Sequence, residues 1–173
     1  MTAEAILVHL GLGSNLGDRK EFLNMACNQL RSEVISEFRP SSIFESEPLL
    51  KIPQPKFFNM VVCGLTVLSH PELLKKCKQN EISSGRIRRE RWGSREIDID
   101  ILSYGSRIIH NDDLEIPHPE IENRSFVLMP MLELSPEWLH HETGITIKQL
   151  GENWLLKYEG QLTLPVITSD ISS

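Results

Sequence analysis

Asp98 and Asp100 lie in the stretch EIDIDIL, residues 96–102, where they alternate with Ile97, Ile99 and Ile101. A period of two sends the isoleucines to one face of a strand and both carboxylates to the other. At about 3.3 Å of rise per residue the aspartates stand roughly 7 Å apart at Cα, near enough to hold one or two hard cations together. Two such ions about 4 Å apart can bridge a polyphosphate and offset its charge during an in-line displacement. For an isolated D-x-D, a solvated strand face is the plainer account. Asp, however, is a poor strand residue, and solvated faces prefer Thr, Lys or mixed charge, so two in one short strand imply a compensating role.

Just upstream, Arg86, Arg88, Arg89, Arg91 and Arg95 place five of the chain's ten arginines within ten residues. A solvated basic loop neutralised by Glu90 and Glu96 is the bland reading. Against it, the guanidinium fork matches phosphate oxygens in pairs, and five such groups repel one another unless an anion intervenes. Gly85 and Gly93 bracket the run and give the loop freedom to move. Paired carboxylates beside a closing arginine loop are the parts of a phosphoryl-transfer site.

Other residues carry weaker signals. In FFNMVVCG, alternation puts Phe57 and Asn59 on one side and Phe58 on the other, and an aromatic ring beside an amide suits a flat heterocycle. Two Phe at a strand start are more often core. His118 sits between prolines in IPHPEIENR, shortly before Arg124 and Phe126, and the remaining histidines form no metal-ligand spacing. The glycines of GLGSNLGD follow neither the dinucleotide fingerprint nor a P-loop and read as a tight strand-to-helix turn, with Asn15 facing the functional edge of the sheet.

The elements that must position these residues follow from pattern and capping. Residues 4–12 read as a strand, and Asp18 caps a helix running to about 32. Extended segments at 34–47 and 57–68 flank PLLKIPQPK, whose prolines interrupt pairing. Ser69 and Pro71 open a second helix to about 82. A strand at 96–102 then turns through YGSR into a partner strand, RIIH. SFVLMPMLEL is expected to be helical with a kink or start at Pro130, a last helix lies past residue 143, and the tail from 161 is a weakly constrained extended end. The order β-α-β-β-α-β with a hairpin extension indicates a ferredoxin-like α+β fold, an antiparallel sheet with its helices packed on it. One domain spans 1–173, with a motif-bearing core at 4–140 and a C-terminal extension at 141–173.

Bulk properties narrow the class. At 173 residues, 40% hydrophobic and 24% charged, the chain can bury a sizeable core. No apolar run approaches the roughly 20 residues of a membrane span, and MTAEAILVHLGLGSN reads as a first strand, not a leader, so a cytoplasmic protein without membrane contact is expected. Cys27, Cys63 and Cys77 read as core thiols. A net charge of −6 argues against nucleic acid as a partner, and a basic loop on an acidic chain suggests a small anionic ligand.

Taken together, GLGSNLGDR, FFNMVV, GRIRRERWGSREIDIDIL and IPHPEIENRSFVLMPMLEL resemble the 6-hydroxymethyl-7,8-dihydropterin pyrophosphokinases of folate biosynthesis over most of residues 8–134, with R-W-G-x-R-x-x-D-x-D the most specific part. The resemblance implies transfer of the β,γ-pyrophosphoryl group from ATP, the co-substrate, to the pterin hydroxymethyl oxygen, releasing AMP. It makes Asp98 and Asp100 ligands of two Mg²⁺ ions and Arg86 and Arg95 the catalytic arginines. Glu81, Arg88, Arg91, Trp92, His118 and Arg124 fall on the ATP side. Phe57 and Phe126 would sandwich the pterin, with Asn59 and the backbone near Ser46 and Leu49 reading its edges. A monomer is expected. Ser94 stands where proline is common in the family. Two rivals share the topology: an RNA-binding module, which would need a basic sheet face with exposed aromatics where this chain shows carboxylates, and a noncatalytic ligand-binding regulatory domain.

Overall fold

The computed structural model describes residues 4–48, 53–87 and 93–158, together with the backbone of 165–167. The chain order is β1 (Ile6–Ser14), α1 (Arg19–Glu33), β2 (Ser36–Pro40), β3 (Ile43–Ser46), β4 (Phe57–Thr66), α2 (His70–Ser83), β5 (Asp98–Tyr104), β6 (Ile109–His110), β7 (Glu115–Ile116), α3 (Ser125–Leu134), β8 (Leu139–His140), β9 (Ile145–Thr146), α4 (Ile147–Lys157) and β10 (Pro165–Ile167). The main sheet runs β10-β3-β4-β1-β5, with β2 also on β4, and every pairing in it is antiparallel. This is the ferredoxin-like arrangement, its second strand split into β2 and β3.

Local chemistry explains the breaks. Asp18 accepts from the Glu21 N–H and starts α1, while Ser69 and Glu72 form a reciprocal cap at the start of α2. The single extended segment expected at 34–47 divides because Ser41 turns its own backbone and hydroxyl onto Val61, and Glu133 takes the Ser42 N–H. RIIH does not pair with β5 as expected. Gly105 turns the chain at φ +54°, and Ile109 and His110 instead form a separate hairpin with Glu115 and Ile116. The tail is not merely an extended end, since residues 165–167 add a strand to the outer edge of β3.

The sheet has two unlike faces. On the inner face Val8, Leu10, Leu12, Met60, Val62, Ile97, Ile99 and Ile101 pack against Leu23, Ala26, Cys27 and Leu30 of α1 and Leu73 and Cys77 of α2. Buried Asn80 of α2 donates to the Ala26 carbonyl and ties the two helices together. On the outer face α3 lies over β4, and Val61, Leu102, Ile121, Val127, Leu128 and Met131 form a second core that Ile147 and Leu150 of α4 extend. Pro130 sits inside α3. The outer face toward β5 carries the polar residues considered next.

Candidate active site

Alternation along β5 turns Asp98 and Asp100 to the outer face, away from the fully buried Ile97 and Ile99. β1 supplies the neighbouring row: Gly13 pairs with Asp98 and Gly11 with Asp100. These glycines therefore belong to a strand, and only Gly17, at φ +67°, belongs to the turn to which the sequence reading assigned them all. Their lack of a side chain has a use here. A Cβ on Gly13 would stand 3.2 Å from the Asn59 amide oxygen, and one on Gly11 would meet Leu102 at 3.4 Å. The floor between carboxylates and amide is thereby kept flat.

From β4 and β3 comes the amide side of the site. Asn59 is buried, and its Nδ2 donates to Ser46 Oγ at 2.8 Å across the strand pair. Phe57, one ridge along, shares the outer face with Asn59, whereas Phe58 packs toward the inner core. Phe126 and Arg124, from the start of α3, and His118, from the segment after β7, close the opposite wall. One cavity is lined by Phe57, Asn59, Arg95, Asp98, Asp100, His118, Arg124 and Phe126 together with the two glycines.

The charges are arranged as a chain. Arg86 Nη1 lies 2.7 Å from Asp98 and 2.6 Å from Glu81, and Arg95 Nη1 lies 3.2 Å from the second oxygen of Asp98. Buried Glu81 also takes the Ile99 N–H at 2.8 Å and Lys78 at 2.9 Å, so it stands behind the strand as the anchor of Arg86 and does not line the cavity. Burial raises the Glu81 pKa against the pull of Lys78. Asp100 is in no ion pair among the described residues, and burial followed by the neighbouring Asp98 charge raises its pKa. His118 is shifted down by burial and then by Arg124, both of which disfavour the charged imidazole. Its Nδ1 accepts from the Glu120 N–H, which assigns the proton of the neutral ring to Nε2.

Among the described residues no group of three or more His, Cys, Asp or Glu is gathered for a metal ion. Two half-buried carboxylates, one of them in no ion pair among the described residues, suit a hard divalent ion. Arg88, Arg91, Trp92 and Leu49, expected to contact substrate, lie outside the described residues.

Sequence reasoning passed over Gly11, Gly13 and Arg19, and it placed Asn15 without a partner. Arg19 lies over the Phe58 ring at 3.6 Å and binds Glu45 and the Lys56 carbonyl, bracing the segment that leads into β4. The available signal was the spacing in GLGSNLGDR, where glycines two apart continue a strand alternation that a turn would break.

Comparison with known proteins gives concordant results. Residues 9–136 match the family described as 7,8-dihydro-6-hydroxymethylpterin-pyrophosphokinase. The 2-amino-4-hydroxy-6-hydroxymethyldihydropteridine pyrophosphokinase of Aquifex aeolicus is 41% identical over 133 residues, covering 77% of this chain and 82% of that protein. The Haemophilus influenzae protein of the same name is 35% identical over 156 residues, 88% of this chain and 98% of its own length. A folic acid synthesis protein of Pneumocystis carinii is 40% identical over 146 residues, which are 84% of this chain and only 20% of that protein. Among solved structures, Plasmodium falciparum HPPK-DHPS with pteroate superposes with a TM-score of 0.75 at 15% identity, over 95% of this chain and 47% of that one, a likeness of fold.

Proposed function

The chain belongs to the 7,8-dihydro-6-hydroxymethylpterin-pyrophosphokinase family, and from that premise we propose that it transfers the β,γ-pyrophosphoryl group of ATP to the hydroxymethyl oxygen of 6-hydroxymethyl-7,8-dihydropterin, as a cytoplasmic monomer with two Mg²⁺ ions, in folate biosynthesis. The observation that carries the reading is one cavity in which the paired carboxylates and an arginine stand within reach of two Phe rings and a buried amide.

Phe57 and Phe126 take the flat ring between them, and Asn59, its amide oriented by Ser46, reads the ring edge. Asp98 and Asp100 would hold the Mg²⁺ ions, which when bound would neutralise the triphosphate and lower the pKa of the attacking hydroxyl. Arg86 and Arg95, both on Asp98 in this structure, turn to phosphate oxygens when that carboxylate is engaged, and Glu81 keeps Arg86 from swinging away. Arg124 and the Nε2–H of His118 meet the nucleotide side, where Arg88, Arg91 and Trp92 also act. The hydroxymethyl oxygen forms a bond to the β-phosphorus, the bond from that phosphorus to the α-bridging oxygen breaks, AMP leaves, and the hydroxyl proton passes to solvent. No general base is required when positioning and charge neutralisation dominate the barrier.

The test is to incubate the protein with Mg²⁺, ATP and the pterin alcohol and resolve the nucleotides by chromatography. AMP appearing in step with a pterin diphosphate is expected. ADP with a pterin monophosphate would overturn the proposal.

A further inference from the structure

Asn15 is 1% exposed, and every polar atom of its side chain is used. Its Oδ1 accepts from the Arg95 N–H at 2.9 Å, and its own backbone N–H donates to the Arg95 carbonyl at 3.1 Å, so Asn15 holds the peptide groups on both sides of the Arg95 Cα. The two protons of Nδ2 go elsewhere, to Gln54 Oε1 and to the Pro55 carbonyl, each at 3.1 Å. Two residues after Pro55 comes Phe57, and the Arg95 guanidinium lies 5.6 Å from the centre of that ring while reaching Asp98. One buried amide therefore fastens two segments whose side chains converge on the same ring. A saturated buried amide is costly to disturb, because any partner that moves leaves a desolvated polar group behind.

We infer that Asn15 is a positioning residue that sets the distance between Arg95 and the ring-binding wall by joining the segment before Phe57 to the Arg95 backbone. The inference rests on the proposed role of Arg95 toward the phosphates, and it adds a requirement: that arginine acts from a backbone held in register with the slot. Rate is sensitive to such register, since a displacement of about 1 Å at a reacting group costs about 100-fold. Asn15→Ala removes all three side-chain hydrogen bonds. Asn15→Asp keeps the acceptor for the Arg95 N–H and turns a carboxylate toward two oxygens, so it releases the Phe57 side alone.

The experiment combines amide hydrogen exchange, read without substrates over 53–58 and 93–97, with kcat and KM for the family substrates. In Asn15→Ala both segments should exchange faster and kcat should fall about 10- to 100-fold, with KM for ATP within about threefold of wild type. In Asn15→Asp the first segment should exchange faster while the second keeps most of its protection, and kcat should fall as well. Ser69→Ala, which loosens the cap of α2 far from the site, serves as the control: it should lower thermal stability without lowering kcat. Unchanged protection of either segment in Asn15→Ala overturns the inference whatever the rate. Faster exchange with wild-type kcat, in a protein where Arg95→Ala is slow, overturns it too. If Arg95→Ala is also as fast as wild type, the role given to Arg95 is what has failed, and the positioning claim falls with it.

Discussion

β5 sends isoleucines one way and aspartates the other, and the protein finishes the two sides by different means. On the inner face the strand meets α1 and α2 in a closed apolar layer, with Val8, Leu10, Ile97 and Ile99 fully buried. On the outer face α3 and α4 cover only the β4 side, and the half beside β5 is left with glycines, carboxylates and arginines. Packing satisfies the first surface by itself. The second is held in a state that a ligand would complete: Asp98 is neutralised by two arginines, and Asp100 makes no ion pair among the described residues. One face is built for stability and the other for charge that must find a partner.

The sharpest way to separate the faces is to change β5 on its outer side only. Asp98→Asn or Asp100→Asn should lower turnover by about 1,000-fold or more. Asp100→Asn, which gives up no ion pair among the described residues, should leave the thermal midpoint unchanged or slightly higher, whereas Asp98→Asn also weakens two arginine contacts and should lower it slightly. Steady-state assays paired with calorimetry check this, and a double variant with wild-type activity would remove the metal assignment. The reciprocal change is Leu10→Ala on the inner face. It should cost about 3 kcal/mol of stability and leave kcat per folded molecule unaltered, as measured by urea unfolding alongside active-site titration.

The outer face also carries a buried polar hub away from the cavity, and it gives the comparison a pH dependence. His9 is fully buried, its Nδ1 2.7 Å from Ser103 Oγ and its Nε2 2.9 Å from Ser135 Oγ. Burial first, and Arg39 second, lower its pKa from 6.5 to about 4. The folded state thus binds fewer protons than the unfolded chain between those values. Its contribution is complete above pH 6.5 and is lost as the pH falls toward 4, amounting to at most about 3 kcal/mol. In His9→Gln the acid limb of the stability profile should flatten over that window. An unchanged limb would assign it to carboxylates instead.

The smallest effect is expected in the extension beyond the family match. Thr146 and Gln149 cap α4 reciprocally. Thr146→Ala should lower stability by about 1 kcal/mol with kcat little changed. Among the described residues no α4 side chain lines the cavity of Asp98, Asp100 and Asn59, and only Trp154, further along the helix, lines the adjoining recess with Arg124 and Phe126. A tenfold fall in kcat would instead bring α4 into the site.

How much of this was legible in the sequence follows the same division. The inner face was readable because a period of two in β5, with caps at Asp18 and Ser69, reflects local physics that the fold does not overrule. On the outer face the pairing of Phe57 with Asn59 and the direction of both aspartates were readable for the same reason. The partners were not. That Glu81 would anchor Arg86 from behind the strand, that Gly13 would lie beside Asn59, and that Asn15 would meet both Arg95 and Pro55 depend on contacts between distant segments, and no spacing rule encodes them. The RIIH segment misled because two apolar residues after a turn suit several partners equally.

β5 is also the last strand in the sheet order on its side. A terminal strand can offer unpaired backbone groups to another chain. Here Glu81 takes the Ile99 N–H and the His118 N–H donates to the Leu102 carbonyl, which covers part of that edge, and charged side chains discourage association along the rest. Asp98 and Asp100 sit on this strand, so removing their charge also takes away groups of the kind that discourage edge pairing. Neutralising them to make an inert protein would therefore carry a second consequence, a molecule that is less soluble at high concentration.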